Sequence, residues 1–236
     1  MSGGGWYTTS WTPAAPAHRV TTSKTEVLHL GVAYGVLTGC LLLVFSGYTY
    51  IGSYFAPPGT RGITPTLVVV AALAALTGFV AHEMAHKVVA QRLGFWAEFR
   101  ASAYGLGMAV LTSVLGFVMA APGATMVGGM HEVDYRNWGR TSVAGPMTNL
   151  GFAAVFYTAA AGAFLAHSLL FQWLLVLAFI NAWFGTFNLF PFGVLDGAKV
   201  FRWSRLRWLG ALALSVAGFA ITAYALYFVG TPLLNL

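Results

Sequence analysis

The sequence predicts an all-α polytopic membrane protein with five to six transmembrane helices and a re-entrant hairpin at about residues 104–128. Three observations carry that prediction. Of the 236 residues, 58% are hydrophobic and only 8% charged, against roughly 25% charged in a soluble domain. Five segments reach the roughly 20 apolar residues that a crossing helix needs. Basic residues gather beside the ends of those segments, as the positive-inside rule expects. The net charge of +6 therefore reads as membrane-flanking charge. A lipid bilayer is the expected partner, and nucleic acid is not.

Residues 1–25 are rich in Gly, Pro, Ser and Thr and lack an apolar core, so they read as a flexible tail and not as a signal peptide. Residues 26–236 then form one membrane-embedded domain. Its spans fall at about 27–54, 64–92, 142–166, 169–192 and 206–229. A sixth apolar run, 104–121, is borderline in length and is followed by the turn-rich PGATMVGG. The lone Cys40 lies in an apolar run, where it packs as a small hydrophobe.

Charge placement decides how the sixth run is counted. Lys87, Arg92 and Arg100 follow HEMAH at and beyond the far end of the second span, and Lys199, Arg202, Arg205 and Arg207 form the densest basic cluster. Both ends are therefore expected on the cytoplasmic side of the cell membrane, and so is the N-terminus. Spans 142–166 and 169–192 already supply the even number of crossings between them. The 104–128 segment must then dip in and return, and irregular backbone at that depth is tolerated only where it lines a cavity or packs on protein.

Six acidic residues are present: Glu26, Glu83, Glu98, Glu132, Asp134 and Asp196. Glu26 and Glu98 read as flanking charges, and Glu132 and Asp134 belong to the polar loop HEVDYRNWGR. Only Glu83 and Asp196 fall in apolar surroundings. A carboxylate at mid-helix costs roughly 2.5–3.5 kcal/mol on insertion scales, so each marks a functional site.

Glu83 belongs to HEMAH, residues 82–86. His82 and His86 are four apart, on one helix face, where both imidazoles can reach a single metal ion. Glu83 stands beside them to accept a proton from a water at that ion. Chance supplies on the order of 0.003 such matches in this composition. Two imidazoles and a carboxylate suit zinc best. A third ligand is needed, and Asp196, His131, Glu132 and Asp134 are the candidates. Asp196 is favoured, because it lies at a depth similar to that of His82 and water already solvates the loop residues. Pro191 and Gly193 predict a broken backbone just before it.

These residues resemble the site-2 protease family of intramembrane zinc metalloproteases. HEMAH matches its HExxH motif. AGPMTNL (Gly145, Pro146, Asn149) matches its GPxxN motif. NLFPFGVLDG (Asn188, Pro191, Leu195, Asp196, Gly197) matches its NxxP and LDG motifs, and all three occur in the family's order between about residues 66 and 205. The resemblance implies one zinc ion per chain held by His82, His86 and Asp196, with Glu83 as catalytic base. It also implies that Asn188 and Asn149 hold the substrate backbone or the oxyanion. The 104–121 run is longer and more apolar than the hairpin of many members and resembles a prokaryotic subset. No room is left for a PDZ or CBS domain.

The expected activity is hydrolysis of peptide bonds within or beside transmembrane segments of a protein or peptide substrate. A zinc-binding or zinc-transport protein without hydrolysis is the alternative, and a fourth protein ligand on the metal would favour it. A small-residue stripe, Gly31, Gly35 and Gly39, reads as a helix-packing face.

Overall fold

The computed structural model describes residues 20–48, 62–118, 122–130, 134–168 and 170–229. Most of the expected tail, the far end of the first expected span, and His131 and Glu132 lie outside these residues.

Among the described residues five helices are long and apolar enough to cross a membrane, which makes the chain a multi-pass membrane protein. The first is α1, Lys24–Phe45, started by Ser23, whose hydroxyl accepts from Glu26 N. The second runs Pro65–Arg92 and has three parts: α2 (Pro65–Ala75), one π-helical turn (Leu76–Val80) and α3 (Ala81–Arg92). Thr64 caps its start and Pro65 takes the first helical position, where a missing N–H costs nothing. Then come α4 (Ala103–Leu115), flanked by strands β1 (Trp96–Ala101) and β2 (Gly123–Gly128), and the long α5 (Tyr135–Leu165). Helix α6 (Leu170–Asn188), the short α7 (Asp196–Trp203) and α8 (Arg205–Tyr224), which runs on into a π-helical turn at Ala225–Val229, are the last described elements.

Helix α5 begins seven residues before the expected span at 142. Asp134 is the reason: its carboxylate accepts from the Asn137 main-chain N–H at 3.2 Å and from Asn137 Nδ2 at 2.7 Å. A capped helix start can lie in a polar loop with no apolar signal. Asp134 is thus a cap and stands apart from the candidate ligands.

The hairpin runs out and back, and it starts earlier than expected, at Trp96. β1 and β2 pair antiparallel, with Phe99 opposite Thr125 and Ala101 opposite Gly123. Between them α4 has 13 residues, about 20 Å of helix against a hydrocarbon core of roughly 30 Å. Gly116, at φ +97°, ends it in the left-handed conformation that glycine adopts without strain. β1 carries a period-2 pattern: Ala97 and Phe99 are buried, while Glu98 and Arg100 form an ion pair on the other face.

Two charges lie deeper than their sequence positions indicated. Glu26 and Lys87 form an ion pair in which both side chains are fully buried. The Lys87 ammonium also donates to Thr22 Oγ1, and Glu26 Oε1 accepts from Phe99 N at 3.0 Å. The pair ties the start of α1 to the back of α3 and to β1. Lys87 is therefore no surface charge of the kind the positive-inside count assumes, and Glu26 is more than a flanking residue.

Helix α1 packs on α2 and α4, with Ala33, Leu37, Leu41 and Phe45 in the apolar core. Its Gly31, Gly35 and Gly39 lie on the outward face, where an added Cβ would meet nothing within 4 Å. That stripe contacts no other described helix of the chain.

Candidate metal centre

HEMAH opens α3 directly after the π-helical turn at Leu76–Val80. A wide turn leaves main-chain carbonyls off the regular ladder. Two of them, Gly78 O at 2.9 Å and Thr77 O at 3.4 Å, accept from Asn149 Nδ2. With its amide nitrogen so engaged, Asn149 turns Oδ1 to Nδ1 of His82, 2.5 Å away. Nδ1 of His86 lies 2.8 Å from the main-chain oxygen of Thr141. Both partners are acceptors, so both Nδ1 atoms carry the proton and both Nε2 atoms present lone pairs.

Those lone pairs converge. His82 Nε2 and His86 Nε2 are 3.0 Å apart. Asp196 Oδ2 lies 3.2 Å from the first and 3.0 Å from the second. Three acceptor atoms meet at one buried point, with no donor assigned among them. A cation resolves such an arrangement. The spacing is also close to the roughly 3.3 Å edge of a tetrahedron with metal–ligand bonds of about 2.0–2.1 Å. The donor set therefore fits a divalent ion.

Two glycines make the convergence possible. An added Cβ on Gly145 of α5 would lie 2.5 Å from His86 Nε2 and 2.6 Å from His82 Nε2, so the GPxxN segment passes directly over both imidazoles. Gly197, the second residue of α7, faces the main chain of Leu189 and Phe190, and any side chain there would collide with it. The backbone is broken between them, as Pro191 and Gly193 predict. α6 stops at Asn188, Gly193 sits at φ +63°, and α7 starts at Asp196 itself.

Glu83 is half-buried beside the ligands. Its Oε2 accepts from Thr125 N at 2.9 Å and lies 2.8 Å from Thr125 Oγ1. Thr125 and the Thr141 carbonyl are the contributors that sequence reasoning missed. A main-chain carbonyl leaves no trace in a sequence, and a lone threonine in PGATMVGG carries no signal of its partner.

Glu83 and His82 open onto a cavity of about 440 Å³. Leu37 and Leu41 of α1, Phe184 of α6, Gly123 of β2, Asn188 and Leu195 also line it. Asn188 Nδ2 donates to Phe184 O at 3.0 Å, within its own helix. Of the two asparagines, Asn188 thus reaches the cavity, and Asn149 is fully buried behind His82.

Apolar spans around a buried two-histidine, one-carboxylate centre place this chain among multi-pass membrane proteins with a candidate metal site. Over 161 residues it is 34% identical to a protein of Methanocaldococcus jannaschii named as a candidate zinc metalloprotease. The match covers 67% of this chain and 80% of that protein. The chain belongs to that protein's metalloprotease family. No family model and no solved structure matches it.

Proposed function

We propose that this protein is an intramembrane zinc metalloprotease of the site-2 type, cleaving peptide bonds within or next to transmembrane segments of membrane-protein substrates. The observation that carries this reading is the convergence of His82, His86 and Asp196 inside apolar helices, beside Glu83 and a largely apolar cavity. A cavity so lined suits an apolar peptide segment more than a free metal ion in transit.

Zinc, when bound by His82, His86 and Asp196, supplies Lewis acidity to water and to the scissile carbonyl. Glu83 accepts the proton of the attacking water and later delivers it to the leaving nitrogen. Asn188 donates one amide hydrogen to Phe184 O and keeps a second for the developing oxyanion at the cavity wall. Asn149 acts one layer out, setting the His82 ring. A helical substrate hides its carbonyls in its own hydrogen bonds and must unwind first. Pairing of the unwound segment with the outer edge of β2 would hold it extended. The basic residues of α7 and of the α8 start support a reading in which this end of the molecule faces the cytoplasm.

The test uses purified wild type and Glu83→Gln in detergent, with bound metal and cleavage of a transmembrane peptide both measured. One zinc per chain in each protein, with cleavage by wild type alone, is the expected result. Cleavage by Glu83→Gln would remove Glu83 from the role of base.

A further inference from the structure

The two edges of the β1–β2 hairpin are treated differently. On β1, every second residue turns its main-chain groups away from β2. All three of these residues are closed by a side chain. Ala97 O accepts from Gln91 Nε2 at 2.9 Å, Phe99 N donates to Glu26 Oε1 at 3.0 Å, and Ala101 N donates to His29 Nδ1 at 3.3 Å. In the antiparallel register their opposite numbers on β2 are Val127, Thr125 and Gly123, which turn outward the other way. Among the described residues one bond closes that edge: Thr125 N to Glu83 Oε2, 2.9 Å. The Thr125 hydroxyl adds a second hold, 2.8 Å from the same oxygen and 3.1 Å from the Glu83 carbonyl. Gly123, on the same edge, lines the cavity together with His82 and Glu83.

A peptide strand added to this edge needs the Thr125 N–H as a ladder donor. The same N–H cannot serve Glu83 and a substrate carbonyl at full strength together. We infer that Thr125 is a positioning residue that latches Glu83 to the strand edge until an extended substrate segment takes the Thr125 N–H and sets the carboxylate free. Docking and release of the base are then one exchange of hydrogen bonds, with no loop closure needed. A short ligand that does not reach along β2 leaves the latch shut. This inference rests on the proteolytic reading above.

The test compares two variants of the full-length, zinc-loaded chain that do not cleave. Glu83→Gln keeps a side-chain acceptor for the Thr125 N–H, and Glu83→Ala removes it. The probes are a synthetic transmembrane peptide of about 20 apolar residues and a capped tripeptide too short to pair along the strand. Glu83→Ala is expected to bind the long peptide about tenfold more tightly than Glu83→Gln, roughly the worth of one such bond. Tripeptide affinity and zinc content should be equal in the two. Equal affinity for the long peptide would overturn the latch. In the cleaving enzyme, Thr125→Val keeps the shape and the N–H but drops the hydroxyl. It should lower KM for the long peptide about threefold at unchanged kcat, with Thr125→Ser restoring KM. A fall in kcat without such rescue would mark Thr125 as merely structural. Should wild type leave the peptide intact and neither Glu83 variant bind it, the proteolytic reading itself fails and the latch with it.

Discussion

Asn149 Oδ1 lies 2.5 Å from His82 Nδ1, and the Asn149 amide nitrogen is committed to the carbonyls of the π-helical turn. One side chain of α5 therefore reads the wide turn and sets the imidazole that follows it. Groups that orient a metal-binding histidine typically account for a 10- to 100-fold change in metal affinity. Asn149→Ala is expected to weaken zinc binding by about that factor, measured by competition with a chromogenic chelator. Unchanged affinity would show that His82 is oriented by other means.

Gly145→Ala should be more severe at the metal and mild for the fold. Alanine favours the helix by about 1 kcal/mol over glycine, yet its methyl would lie 2.5 and 2.6 Å from the two Nε2 atoms, well inside van der Waals contact. Near-complete loss of retained zinc with unchanged helical circular dichroism is expected. Normal zinc content in this variant would contradict the close passage of α5 over the histidines.

The Glu26–Lys87 pair supports a double-mutant test. Removing one partner of a buried ion pair strands the other, at a cost of about 3–5 kcal/mol, while an uncharged pair is often tolerated. Lys87→Met alone should therefore lower unfolding stability in detergent by that amount, and Glu26→Gln with Lys87→Met should recover most of it. Equal losses in the single and double variants would mean that lost packing dominates.

Zinc itself should stabilise the chain, because the site exists only when α3 and α7 are docked. Ligand linkage adds about 2.7 kcal/mol at a free zinc concentration of 100 Kd. Chelator should lower Tm in wild type and change it little in Asp196→Asn, which lacks the third ligand. An equal shift in both variants would place the stabilising ion elsewhere.

Much of this arrangement is legible in the sequence, for reasons that differ from residue to residue. The spans follow from apolar run length, and HEMAH shows itself because two imidazoles and a carboxylate are costly in hydrocarbon. Asp196 can be matched to them because it too is a charge among apolar residues, and the structure sets it 3.0 Å from His86. Glu26 and Lys87 mislead for the opposite reason. Each sits near the end of a helix, where charge is ordinary, and only the packing of α1 against α3 shows that water is excluded. The start of α5 at Tyr135 depends on the Asp134 cap, a signal independent of hydropathy. β1 is readable in retrospect, since WAEFRA alternates Ala97 and Phe99 inward with Glu98 and Arg100 outward. Partners such as the Thr141 carbonyl and Thr125 emerge only once the chain is folded.

The buried Glu26–Lys87 pair also bears on how the protein is made. The carboxylate leaves the ribosome 61 residues ahead of the ammonium that neutralises it. Until then Glu26 lacks its buried partner and is best kept at the headgroup level. It can take its final depth only after α3 has been synthesised and β1 is in place to offer the Phe99 N–H. α1 therefore settles after helices that follow it in the chain, and the wall it gives the cavity is completed late in assembly.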